Sequence, residues 1–453
     1  MKAFTEPLLS LAGFEEMTKT AEKSSGLISV TGCIDAQKSQ MIYAFGGHRK
    51  NKLIVTFGEQ KAKELYDEYS FFDKEVVYYP SKDVLFYQSD IRGNLLTAER
   101  IRALKAIREQ ERVTIVTTFD ALMNTMAPIE KMWENVLTLE QGQLLDLKEI
   151  QAALIRMGYE KEYQVQTMGQ FSVRGGILDV FPLTEENPIR IELWGDEIDT
   201  IRYFDCESQK SIENTDRVSI YPAAELVLSD EEKAGGIEKL KAEAKRVSDK
   251  LRKQMKTEEA HRVSVMADEL TEEWGELSMY AGMDAFLSYF FDERVGLLDY
   301  FKPSDSFIFF DELTRCTEQG KITETEFSES MKQRLAMGYI LPGQMNGLFT
   351  EKEIVAKLEK YSCIALGALD NKANGLHQLG SYGIHCQSVS PYNNSFELLI
   401  KDLKRYKKNG YRVILLSGSR TRAKRLSEDI TDQGITCFYT ENYDHELFEG
   451  QIM

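Results

Sequence analysis

The sequence predicts a multidomain α/β protein: a parallel-sheet body split by a small inserted β-rich domain, then a small α/β domain. Three observations carry this. Strand-like apolar runs alternate with helical patterns over about the first 120 residues. A cluster of short strands with little helix then runs to about residue 222. A strand of the fully buried type, Phe307–Phe310, returns well after that cluster, so the two α/β stretches read as one body with an insertion. The length of 453 residues agrees, since about 150 residues per domain gives about three domains. The expected divisions are 1–125 and 216–340 for the two parts of the body, 126–215 for the insert and 350–453 for the last domain.

In the body, Leu27–Thr31 reads as a strand, followed by a helix near Ala36–Phe45. Lys52–Phe57 is a second strand, and Ala62, Leu65 and Tyr66 keep helical spacing after it. Val76–Tyr79 and Val113–Thr117 follow, with an arginine-bearing helix at 97–109 between them. Strands joined through helices pair in parallel. The insert begins with a short helix at 147–157. Phe171–Arg174, Ile177–Phe181, Pro188–Trp194 and Ile198–Phe204 then read as strands, with Gly195 and Asp196 as a hairpin turn. Residues 229–260 read as a charged helix with Ile237, Leu240 and Ala244 on its packed stripe, and helices continue to about Phe291. Leu341–Gly347 reads as a linker. In the last domain Tyr411–Leu416 is the clearest strand, and the helix after it puts Ala423, Leu426 and Ile430 on one face before Gly434.

Composition narrows the function. There are 56 Lys+Arg against 73 Asp+Glu, a net charge of −17. A field of that sign repels phosphate backbones, which argues against a protein that coats DNA. Between Lys401 and Arg425 ten basic residues face only Asp402; a solvated helix face explains them more simply than a nucleic-acid patch. The six cysteines form no CxxC pair and the five histidines have no ligand-like spacing, so neither a metal nor a disulfide framework is expected. No apolar run approaches the roughly 18 residues of a membrane span, and no signal peptide is evident. A cytoplasmic protein with no membrane partner is expected.

Two motifs suggest a degenerate nucleotide site. Gly32 to Ser39 lies between a strand and a helix, the setting of a phosphate-binding loop, G-x-x-x-x-G-K-[ST]. The second glycine lets the backbone turn sharply and phosphate approach closely. Gln37 stands there instead, ahead of Lys38 and Ser39. The strand ending in Asp311 and Glu312 is of the Walker B type, which holds Mg²⁺, but the second motor half with its arginine finger is absent. No catalytic residue is assigned.

The insert is more informative. In Ile189–Trp194, alternation puts Ile189, Ile191 and Leu193 on the core face and Arg190, Glu192 and Trp194 on the other. A tryptophan beside an arginine on an open sheet face has the composition of a protein-binding hot spot. Arg174 belongs to the same side.

The runs GQFSVRGGILDVFP at 169–182, PIRIELWGDEIDTIR at 188–202 and FDCESQ at 204–209 resemble the bacterial transcription-repair coupling factor (Mfd) family, and the same region of the excision-repair protein UvrB. The resemblance spans the whole chain, as the amino-terminal UvrB-like region plus the following small domain. It implies a helicase-like body around an insert that binds UvrA, the damage sensor of nucleotide excision repair. Arg174, Arg190 and Trp194 match the family's contact positions. There an arginine can fork onto a partner carboxylate and the tryptophan can fill a pocket.

Two departures favour the coupling factors over UvrB: Gln37 breaks the loop, and Tyr79–Gln88 lacks UvrB's tyrosine-rich hairpin. The resemblance further implies that the chain is the front part of an ATP-dependent DNA translocase acting on stalled RNA polymerase and double-stranded DNA. ATP and Mg²⁺ belong to that motor, and no cofactor is expected here. The alternatives are a nucleotide-dependent helicase subunit using Lys38, Ser39 and Asp311, and an autoinhibitory clamp.

Overall fold

The computed structural model describes residues 1–45, 49–82, 94–276, 282–370 and 375–453. Before the insert come β1 (Gly26–Thr31), β2 (Asn51–Thr56), β3 (Val77–Tyr79) and β4 (Thr114–Thr118). The insert holds β5 (Leu137–Glu140), β6 (Glu160–Lys161), β7 (Gln170–Arg174), β8 (Ile177–Val180), β9 (Ile189–Trp194), β10 (Glu197–Phe204), β11 (Ser211–Thr215) and β12 (Arg217–Ile220). After it come β13 (Ser306–Asp311), β14 (Ser362–Leu366) and β15 (Gln378–Gly383).

The body is one seven-stranded sheet of order β15-β1-β14-β13-β2-β4-β3. Every pairing in it is parallel. β13, from beyond the insert, lies between β2 and β14, so the two parts of the body complete one sheet. A parallel sheet is covered on both faces and its strands are apolar throughout. All six residues of β13 are buried. Phe307 and Phe309 join the apolar layer on one face, and Ile308 and Phe310 the layer on the other. Each buried phenylalanine contributes roughly 1.5–3 kcal/mol.

The insert is a separate β-rich unit. Its six-stranded sheet runs β11-β10-β9-β8-β7-β6, and β5 and β12 pair antiparallel where the chain leaves and returns. The helix Leu147–Arg156 covers the inner face through Ile150 and Leu154, packed with Phe171, Leu178, Val180, Ile189 and Ile191. Asp146 caps it, accepting from the Lys148 amide at 2.7 Å. At the neck, Glu225 is clamped by body residues. Arg100 donates from Nε to Oε1 at 2.7 Å and from Nη2 to Oε2 at 3.1 Å, and Lys82 Nζ lies 3.0 Å from Oε1.

Four expectations are corrected. The last domain does not begin at 350, because β14 and β15 belong to the body sheet, paired with β1 and β13. The terminal unit proper is built on the helices Phe396–Lys408 and Arg420–Asp432 around Ile400, Leu403, Ile430, Ile435 and Ile452. Its expected strand at 411–416 makes only one bridge, Val413 to Ile452, since its ladder partners among the described residues are confined to Gly450–Met453. The single helix expected at 229–260 is two, Asp230–Lys253 and Thr257–Glu276. The chain reverses at Met255, φ 63, so that Leu240, Ala244 and Leu251 pack with Ala260, Val263 and Trp274. The linker at 341–347 is a packed 3₁₀ turn: Leu341 is buried and Gly343 donates to Glu243 at 3.1 Å.

Among the described residues no helix is long and apolar enough to cross a membrane. Residues 83–88 of the Tyr79–Gln88 stretch lie outside the described residues.

Candidate functional site

Two places carry the residues singled out by sequence. The first is the turn between β1 and the helix Asp35–Ala44. Gly32 sits at φ 77, and a Cβ there would lie 2.1 Å from the Ile384 carbonyl oxygen, so only glycine fits. The Gly32 and Cys33 amides donate to the carbonyls of Ala368 (3.2 Å) and Gly367 (3.0 Å). Amides that would face a phosphate in a working loop are thus satisfied by the chain's own segment after β14. The Gln37 side chain accepts from the thiols of Cys33 and Cys386, filling the place a glycine would leave open.

Lys38 is engaged in the same way. Its ammonium is almost fully buried and donates to Asp35 (2.7 Å), to Asp311, and to Glu312 (3.3 Å). Burial disfavours its charge, but the Asp311 and Asp35 carboxylates together outweigh that and hold the amine above its ordinary range. The other Asp311 oxygen accepts from Thr56 Oγ1 at 2.9 Å. Glu312 adopts a left-handed conformation, φ 59, and accepts from the Ala368 amide at 3.2 Å. Ser39 donates to Glu68 at 3.4 Å. The structure therefore joins Lys38 to Asp311 and Glu312, as the motifs suggested, but as a closed internal charge cluster.

The second place is the open face of the insert sheet. The β9–β10 hairpin turns at Gly195 (φ 66) and Asp196, with Trp194 opposite Glu197. Alternation holds along β9: Ile189 and Ile191 are buried, Arg190 and Glu192 are half-buried, and Trp194 is 84% exposed. Arg190 and Arg174 meet on one carboxylate, Asp179 of β8, directly opposite Arg190 in register. Arg190 forks onto it, Nε to Oδ1 at 2.7 Å and Nη2 to Oδ2 at 2.8 Å, and also reaches Gln209 Oε1 at 2.8 Å. Arg174 Nη2 reaches Asp179 Oδ2 at 2.8 Å. The Asp179 hydrogen bonds raise the Arg190 pKa above its ordinary value. The Phe204 ring lies 4.3 Å beneath the Arg190 guanidinium. Beside them Arg202 pairs with Glu192, holding that carboxyl below its usual range.

In the chain by itself the Arg190 fork is made internally, onto Asp179. Arg190 sets the face, Arg174 is the more exposed arginine, and Trp194 is the side chain offered to solvent. Asp179 and Gln209 were not singled out by sequence. An aspartate inside the otherwise apolar run Ile177–Val180 was the available signal.

The comparisons fall on the same unit of the chain. The family model described as UvrB interaction domain matches residues 137–226, the span from β5 to the Glu225 clamp at the neck. Over 402 residues, 88% of its length, the chain is 26% identical to the transcription-repair-coupling factor of Bacillus subtilis (strain 168). Over 436 residues, 94% of its length, it is 25% identical to that of Staphylococcus haemolyticus and 26% identical to that of Staphylococcus epidermidis. Over most of its length the chain is thus similar to transcription-repair-coupling factors. It spans about a third of their length, 34% of the Bacillus protein and 36% of the Staphylococcus ones.

Proposed function

We propose that this chain is the recruiting region of a transcription-repair coupling factor and that its insert binds UvrA. The observation that carries this is Trp194, standing in solvent on a domain matched to the UvrB interaction domain, next to a face fixed by Arg174, Arg190 and Asp179. Exposed aromatics beside positioned arginines are the usual anchors of protein interfaces. In the longer protein, a motor using ATP and Mg²⁺ would move along double-stranded DNA and displace stalled RNA polymerase, while this region brings UvrA to the lesion. The internal pairing of Lys38 with Asp311 supports recruitment over a nucleotide-dependent helicase role.

The test is calorimetric titration of the chain with purified UvrA. Trp194→Ala is expected to weaken binding by roughly 2 kcal/mol, about thirtyfold, with the melting curve unchanged. Equal affinity of the variant and the parent chain would remove the proposal.

A further inference from the structure

Next to Trp194 lies a feature that the arginine face does not use. Residues 142–145 continue the sheet along the start of β10. The Gly142 amide donates to Ile198, Ile198 donates to Gln143 and Leu145 donates to Asp196, at 2.8, 2.9 and 2.7 Å. Leu144 is bridged antiparallel to Glu197, which is itself opposite Trp194. Directly opposed residues share a face, so Leu144, Glu197 and Trp194 form one row across three strands. Both apolar members are open to solvent, Leu144 at 75%.

Beside this row is a groove of about 740 Å³, walled by Trp194 and lined by Glu140, Glu197, Asp199, Asp216 and Arg217. Arg217 lies 3.2 Å from Glu140, so the four carboxylates and one guanidinium leave a net charge of −3. Among the described residues no cation pairs with Glu197, Asp199 or Asp216. Unpaired carboxylates around an exposed tryptophan and leucine fit a ligand carrying both positive charge and an apolar side chain.

We infer that this groove docks a basic segment of the protein partner, its lysines or arginines facing Glu197, Asp199 and Asp216 and one apolar side chain lying on Trp194 and Leu144. The inference rests on the reading that the insert is the partner-binding domain, and it extends that interface beyond the arginine face. Rim charges of this kind chiefly raise the association rate and make binding salt-dependent.

The experiment has two arms, both using the whole chain and the triple variant Glu197→Gln, Asp199→Asn, Asp216→Asn. All three positions are exposed, so the fold is expected to hold, with circular dichroism as the check. Against purified UvrA, the triple variant is expected to bind about tenfold more weakly at low salt, and the difference should close as salt is raised. Identical affinity and salt slope would overturn the inference. In the second arm, tryptophan emission is followed while an alternating Lys-Leu peptide is added, with a Glu-Leu peptide as control. Saturable change with the basic peptide, reduced in the triple variant and in Trp194→Ala, supports the groove. No response, or an equal response to both peptides, overturns it. If the parent chain fails to bind UvrA, the UvrA proposal falls and the peptide arm decides the groove separately.

Discussion

At the end of β1, Lys38 and Asp311 are both sealed from water and spend their charges on each other. On the open face of the insert, the half-buried Arg190 and the buried Asp179 also pair with each other, but there the strand runs four residues further, about 13 Å, to Trp194 in solvent. Both pairs are built from motif residues and both are internally satisfied. One terminates at buried groups and covered amides; the other supports an exposed aromatic. A charge pair of this kind indicates a working surface only when something reachable is mounted beside it.

The largest expected effect breaks the comparison at the loop. Lys38→Ala leaves the Asp311 carboxylate buried without its cation, and removing one partner of a buried pair costs about 3–5 kcal/mol. Urea denaturation should show that loss, while ATP with Mg²⁺ should leave the melting temperature of the parent chain unmoved. A clear rise with ATP would mean that nucleotide displaces the internal pair, and the contrast between the two sites would fail.

Asp179→Ala tests the other side. It leaves Arg190 and Arg174 facing one another without their shared carboxylate. Because Arg174 is partly solvated, the expected cost is smaller, about 2 kcal/mol in denaturation. UvrA affinity should also fall, although Asp179 itself is buried and cannot touch a partner. Retained affinity in a folded variant would show that Trp194 acts without its supporting face.

Glu225, at the neck, is a charge cluster with no exposed residue assigned to function, and sharpens the comparison as a control. Burial raises its pKa, yet Arg100 and Lys82 outweigh that and bring it down to about 2. A carboxyl whose folded value is depressed stabilises the fold above its unfolded value, near 4.5, and loses that contribution as pH falls toward 2. Stability should therefore decline below about pH 4.5, and Glu225→Gln should flatten that decline. An unchanged acid slope in the variant would remove Glu225 from the account.

The period-two pattern along β9 made Trp194 and Arg190 legible in sequence, because a half-buried strand alternates faces whatever surrounds it. The split body was legible too, from the buried run of β13. Register between strands was not: that Asp179 lies under Arg190 depends on how β8 pairs with β9. The Lys38–Asp311 contact spans 273 positions and closes only when β13 takes its place in the sheet. The same distance effect hid β14 and β15, whose partner β1 lies hundreds of positions away. Tyr411–Leu416 has the composition of a strand but among the described residues its ladder partners are confined to Gly450–Met453, so composition overstated it.

The most direct test places both sites in one experiment: titration of UvrA into the parent chain, Lys38→Met and Trp194→Ala, each with and without ATP. The account predicts that Lys38→Met, where folded, binds like the parent, that ATP changes nothing, and that Trp194→Ala alone loses about thirtyfold. Full affinity in Trp194→Ala, or binding that requires ATP and Lys38, would contradict it.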